Sequence, residues 1–200
     1  MASVASKDTV DAFFSKYVYG WMFTDVQREI ALARLNLGGG NFLAALGLLC
    51  YTEYLGGVKR DKFQRGESRR NFDAFFKTLG PEYAGLLTGM NVYDVFRCGM
   101  AHEYFVKQNC VIAMLKGGER CGLGRFPHGG LYFVVERYFE DFAEACRTLH
   151  EQLRKRPQPG VLQVATLGVP VPGKRGPSVR FFGRPDPTRL NDDRSQEPLT

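Results

Sequence analysis

Apolar residues recur at helical spacing along most of the chain, and the places where that period lapses divide it into elements. Residues 9–35, "TVDAFFSKYVYGWMFTDVQREIALARL", carry one apolar face, with Gly20 or Thr24 as points where the helix can break. "GGGN" at 38–41 reads as a turn, with Asn41 placed to cap a following helix. Residues 41–55, "NFLAALGLLCYTEYL", are apolar nearly all round, which predicts a central, buried helix. "GGVKRDKFQRGESRR" then reads as a charged connection. Asn71 is positioned to cap a helix over "FDAFFKTLG", which stops at Gly80-Pro81, and "PEYAGLL" adds a short helical turn.

A helix over about 91–107 follows, after which the pattern changes. "CVIAML" and "LYFVV" are rich in β-branched and aromatic residues and are separated by glycine-rich turns, which predicts a small hairpin within about 109–135. "ERYFEDFAEACRTLHEQLRKR" returns to the helical period, with Phe139, Phe142, Ala143, Cys146 and Leu149 on one side and an end before Pro157. Eight of the ten prolines fall between 157 and 198, where no helical period survives. The expected architecture is therefore an all-α bundle at 1–156 with an inserted β-hairpin, and a Pro-rich, flexible tail at 157–200.

Composition narrows the class. The chain is 44% hydrophobic and 13% aromatic over 200 residues, enough for a real core. No long uncharged apolar run predicts a membrane span, and "MASVASKDTVDAFF" lacks the look of a secretory signal. Five cysteines without a CxxC pair argue for reduced thiols in a cytoplasmic protein. Cys110, Cys121 and His128 match no zinc spacing, so no metal or other cofactor is expected. "GGGN" has neither a preceding strand nor a following Gly-Lys-Ser/Thr and is not read as a phosphate loop. Of the net charge of +6, residues 154–200 carry +5, so the body is nearly neutral. Within the body, Lys59, Arg60, Lys62, Arg65, Arg69 and Arg70 crowd into twelve positions, either as a solvated loop or as an RNA-facing patch.

The helix with the most unusual polar content is "NVYDVFRCGMAHEYFV", 91–106. On an α-helical wheel Val92, Tyr93, Val95, Phe96, Gly99, Met100, Tyr104 and Val106 share a core face. The same wheel places Arg97 at about 140° and His102 at about 280° from Val92, framing a second face that includes Asp94, Cys98 and Ala101. Across a two-fold axis two copies would bring two Arg and two His together. Arginine binds phosphate bidentately and histidine moves protons near neutral pH, which suits RNA cleavage without metal. Arg97 can instead pair with Asp94, Glu103 or a carboxylate of a neighbouring helix, and His102 can be a packing residue. Other candidates are weaker. His128 lies in a turn, His150 suits a helix C-terminus, and Cys98–His102 is a poor nucleophile pair. Glu140 and Asp141 point to different faces.

"RCGMAH" has the R-x4-H form of the motif of the HEPN superfamily, and the helical body at about 9–155 resembles that superfamily in helix order. The resemblance implies a four- or five-helix bundle, a homodimer and a metal-independent ribonuclease of toxin–antitoxin, phage-defence or RNA-processing systems. It assigns Arg97 and His102 as catalytic and implies RNA as substrate, with an antitoxin or defence protein as partner. Cys98, Asp94, Lys59, Arg60, Arg69 and Arg70 are the candidate substrate-binding residues. The family often carries Asn, Asp or His after the arginine, whereas this chain has Cys98, whose thiol donates only weakly. Some family members only bind nucleotides or proteins, and a non-catalytic binding module is the alternative expectation.

Overall fold

The computed structural model describes residues 4–5, 7–103, 106–155 and 158–159. All lie in the first of the chain's two units, Met1–Leu167, so the rest of the expected tail lies outside the described residues. The described residues are mostly helical, with a small three-stranded sheet. None of their helices is long and apolar enough to cross a membrane.

The first amphipathic stretch is not broken at Gly20. α1 (Lys7–Phe13) widens into a π-helical segment, π1 (Phe14–Met22), and resumes as α2 (Phe23–Arg34). At the junction the Phe23 amide donates to the carbonyl of Val18, five residues back. The turn at 38–40 relies on left-handed glycines, Gly39 (φ 101°) and Gly40 (φ 76°). Asn41 starts α3 (Asn41–Arg60) without capping it; its side-chain amide instead donates 2.9 Å to the carbonyl of Ile112 in the sheet.

α3 is the central helix, burying Ala44, Ala45, Leu48, Leu49, Thr52 and Leu55. It runs past the expected end through Gly56 and Gly57, because α4 (Ser68–Phe76) packs there. A Cβ on Gly56 would lie 1.7 Å from the Asn71 carbonyl oxygen. Asn71 is therefore no cap. It lies inside α4, engaged at both ends: its Nδ2 donates to the Lys62 carbonyl (2.7 Å) and its Oδ1 accepts from Arg60 (2.6 Å). α5 (Pro81–Gly89) follows Gly80 with proline in its first turn, where a missing amide costs nothing.

The segment read as an α-helix over 91–107 is a second π-helical segment, π2 (Tyr93–Glu103). The expected two-strand hairpin is also corrected. β2 (Cys110–Ala113) pairs in parallel with β4 (Leu131–Val134), and β3 (Leu123–Arg125) is β4's antiparallel partner, giving the order β2-β4-β3. "CVIA" and "LYFV" do become strands, but the glycine-rich segment between them is long enough to supply a third. α6 (Val135–Lys155) buries Phe139, Phe142, Ala143, Cys146 and Leu149, as its period predicts. Two short strands near the ends, β1 (Val4–Ala5) and β5 (Gln158–Pro159), pair antiparallel.

Aromatic rings fill the space between these elements. Phe72 stacks on Phe76 (5.1 Å), Phe75 meets Phe142 edge-on (5.6 Å), and Phe133 stacks on Tyr138 (4.8 Å). Their polar tips are satisfied: the Tyr138 hydroxyl meets Thr52 at 2.9 Å, and the Tyr83 hydroxyl donates to Asp141 (2.5 Å) while accepting from the Gly122 amide (2.7 Å). Buried Glu136, at the start of α6, accepts from the Lys116 amide (2.9 Å) and pairs with Arg34.

Two stability measurements check this packing. Gly47→Ala meets only an ordinary contact at 3.9 Å and is expected to stabilise the mid-helix site by about 0.5–1 kcal/mol. Gly56→Ala, chemically identical, is expected to destabilise by at least about 1–3 kcal/mol through overpacking. Denaturant midpoints moving the same way for both would refute the close crossing. For Glu136, burial works to raise the carboxyl pKa, but the Lys116 amide and Arg34 outweigh it and hold the pKa below its ordinary value. Its contribution is thus present above the unfolded value of about 4.3 and lost as pH falls through the lower folded value. Glu136→Gln should cost about 1–3 kcal/mol at neutral pH. The gap to the parent protein should close on acidification below about pH 4.

Candidate functional site

π2 opens under a side-chain cap. The Asp94 amide donates to Asn91 Oδ1 at 3.2 Å, and the Val95 amide to the Asn91 carbonyl at 3.0 Å. Of the expected core face Val92, Val95, Phe96, Gly99 and Met100 are buried, Tyr93 and Val106 are half-buried against the core, and Tyr104 lies outside the described residues. The polar face changes. An α-helical register separates positions five apart by about 140°. Hydrogen bonding from i to i+5 winds the chain more loosely and narrows that separation. Arg97 and His102 stand five apart in this segment, and of the two Arg97 alone pairs with α3.

Arg97 turns toward α3. Its Nε lies 2.7 Å from Glu53 Oε2, with the two side chains 21% and 18% exposed. Neither Arg97 Nε nor Glu53 Oε2 makes an aligned hydrogen bond among the described residues, so this contact is an ion pair by proximity alone. The guanidinium also lies 5.9 Å over the Tyr93 ring, within cation–π range. Burial works against the Arg97 charge, but Cys50, Glu53 and Tyr93 together raise its pKa further, and it stays protonated. Burial pushes the Cys50 thiol up; Arg97 opposes this and Glu53 reinforces it. The Tyr93 phenol is raised by burial, then by Glu53 and Cys98.

These groups border a polar cavity of about 210 Å³ lined by Cys50, Glu53, Tyr54, Phe63, Gln64, Ser68, Asn71 and Arg97. α3 supplies one wall, the 61–67 connection another, α4 a third through Ser68 and Asn71, and π2 the fourth. His102 is exposed and has no hydrogen bond or ion pair among the described residues. Cys98 is half-buried. Asp94 pairs with Lys107 (3.0 Å), as does Glu103 (3.3 Å), so Arg97's carboxylate comes from the neighbouring helix rather than from its own.

The basic cluster does not form a row of free cations. Arg60 pairs with Glu67 at 2.7 Å, and Arg70 with the same carboxylate at 2.8 Å; these two bonds hold the Glu67 pKa low. Arg69 lies 3.8 Å from Asp73. Lys59 reaches the Ala74 carbonyl at 3.3 Å, and its pKa is lowered by burial and then by Lys77. Of this group only Arg60 adjoins the cavity, through Asn71. Lys62 and Arg65 are exposed, without an ion pair among the described residues.

Glu53 was not among the expected site residues, although it carries a signal: it is the sole charge in an otherwise apolar 41–55. Phe63, Gln64 and Ser68 carry none, because their places come from the 61–67 connection and the start of α4. A second unexpected network surrounds His150. Its Nδ1 lies 3.1 Å from the Tyr19 hydroxyl and its Nε2 2.8 Å from Asp11, while its ring stacks on Phe14 at 4.3 Å. Arg154 reaches the same Asp11 oxygen at 3.1 Å. Burial, and then Cys146, push the Tyr19 phenol up to about 12. With both ring nitrogens engaged, His150 tethers α6 to α1 and π1. His128 is exposed, and no three metal-ligating side chains gather among the described residues.

Comparison with family models, with curated proteins and with solved structures finds no match to this chain.

Glu53→Gln should speed alkylation of the Cys50 thiol by iodoacetamide at fixed pH, because the charge that raises its pKa goes and the Arg97 charge stays. Peptide mapping of the modified cysteines against time reads the rate. An unchanged or slower rate would separate Glu53 from Cys50 and Arg97.

Proposed function

We propose that this chain is a HEPN-like, metal-independent endoribonuclease, working as a homodimer in a cytoplasmic toxin–antitoxin or phage-defence setting. His102 is the general base and Arg97 the phosphate binder. The observation that carries the reading is the π-helical winding of 93–103, which narrows the angle between the two residues around the helix axis. Glu53 supports the reading as well. It meets Arg97 at Nε, so the two terminal amino groups of the guanidinium remain to hold a phosphodiester.

In this reading exposed His102 takes the proton from a ribose 2′-hydroxyl. The 2′-oxygen attacks the adjacent phosphorus and the bond to the 5′-oxygen breaks, with a proton returned to that oxygen. The products are a 2′,3′-cyclic phosphate and a 5′-hydroxyl. Arg97 offsets the charge that builds on the non-bridging oxygens. The exposed cations Lys62 and Arg65 adjoin the cavity-forming loop and suit the flanking phosphates. Arg69 and Arg70, although paired, are exposed enough to exchange partners.

One observation favours a second reading, a non-catalytic nucleotide- or protein-binding module. Among the described residues nothing orients the His102 imidazole, and Cys98 offers a weak donor where the family often has an amide.

Labelled structured RNA incubated in EDTA with the parent protein, Arg97→Ala and His102→Ala separates the two. Cleavage by the parent with cyclic phosphate ends, reduced by about 10² or more in each variant, is the expected result. Equal cleavage by all three, or none, removes these residues from catalysis and leaves the binding module.

A further inference from the structure

We propose that the cavity beside Arg97 is a nucleobase pocket selective for guanine. This rests on the ribonuclease reading only in making the base part of the substrate RNA. Three features point to it. The first is size: about 210 Å³ lies below the usual range for drug-sized ligands and suits a single base rather than a whole nucleotide.

The second is a stacking surface. Phe63 lies on the 61–67 connection, 47% exposed as a residue, with its ring next to Tyr54 at 5.5 Å. It is held there by contact with bare backbone, since a Cβ on Gly57 would lie 2.6 Å from its ring. An aromatic ring placed on a rigid backbone at a cavity mouth is what an unstacked base requires, and nothing in the described core needs this ring to be exposed.

The third feature is the hydrogen-bonding inventory. Asn71 already bonds through both Nδ2 and Oδ1 and serves as wall. Glu53 Oε2 and Arg97 Nε are buried 2.7 Å apart as an ion pair without an aligned hydrogen bond among the described residues, and the carboxylate oxygens keep further lone pairs for other donors. The Ser68 hydroxyl and the Gln64 amide line the same space. A carboxylate accepts only. The base edge that offers two adjacent N–H donors to one carboxylate is the Watson–Crick edge of guanine, N1–H and the exocyclic amine. Gln64 or Arg97 can donate to its O6. Adenine and cytosine present a ring acceptor beside their amino group and would leave one carboxylate oxygen opposite it. Uracil presents a single N–H. The pocket thus discriminates by leaving the wrong base with an unpaired buried group.

The test titrates the full chain with GMP, IMP, AMP, CMP, UMP and ribose 5-phosphate by calorimetry, and repeats it with Phe63→Ala and Gln64→Ala. Phe63 is the safer variant, because the residue is half exposed. GMP is expected to bind at least about tenfold more tightly than the other bases, with IMP weakened by loss of the amine. Phe63→Ala is expected to weaken GMP by about tenfold and ribose 5-phosphate not at all. Equal binding of all nucleotides and of ribose 5-phosphate, or GMP affinity unchanged in Phe63→Ala, overturns the pocket. GMP selectivity in a protein that cleaves no RNA supports the pocket and removes the ribonuclease. RNA cleavage without guanine preference and without GMP binding removes the pocket and keeps the ribonuclease.

Discussion

The contact on which the arrangement turns is the crossing of α3 and α4 at Gly56. With no side chain on Gly56, the backbone of α4 at Asn71 sits against the backbone of α3. That approach buries Asn71, whose amide then has no choice but to find partners inside the protein. It finds the Lys62 carbonyl and the Arg60 guanidinium, and so ties down the connection that leaves α3 through left-handed Asp61. Arg60 in turn fixes Glu67 at the start of α4. One steric permission thus propagates through three polar contacts into an ordered loop, and that loop carries Phe63 and Gln64 to the cavity.

The site is assembled from parts with different mechanical characters. α3 and α6 are long, buried helices whose burial fixes their place. π2 is wound against the ordinary preference of the backbone, and such winding persists only where the surroundings over-determine it. Its buried side, Val95, Phe96, Gly99 and Met100, supplies that constraint. The result is a rigid carboxylate, Glu53, facing an arginine on a segment whose geometry depends on core packing. His102 lies beyond the buried part of the segment and is free of that constraint. Arginine and histidine therefore differ in what the monomer does for them: the first is held, the second is only presented.

Burial also explains the electrostatics. The basic cluster at 59–70 reads in sequence as surplus charge, but the fold spends much of it on internal structure. Arg60 and Arg70 share Glu67, and Lys59 is half-buried against α4. Only the loop positions Lys62 and Arg65 remain exposed and without an ion pair among the described residues. His150 shows the same effect. Its position at a helix end suggests a solvated cation, but Tyr19, Phe14 and Asp11 enclose it, because π1 bulges toward α6 there.

Sequence alone determined the mostly helical class, the central helix at 41–55 and the apolar side of 139–149. These follow from hydrophobic period and composition, which act locally. It misplaced features whose outcome depends on distant partners. α3 runs on through two glycines because a neighbour packs on them. Asn71 and Asn41 leave their expected capping roles because the loop and the sheet offer buried acceptors. The sheet gains a third strand because β3 finds β4. The winding of 93–103, the Glu53–Arg97 pair and the cavity that Phe63 overlooks were decided by tertiary structure alone. No local preference distinguishes an α-turn from a π-turn until the core on one side must be filled, and no spacing rule joins residue 53 to residue 97.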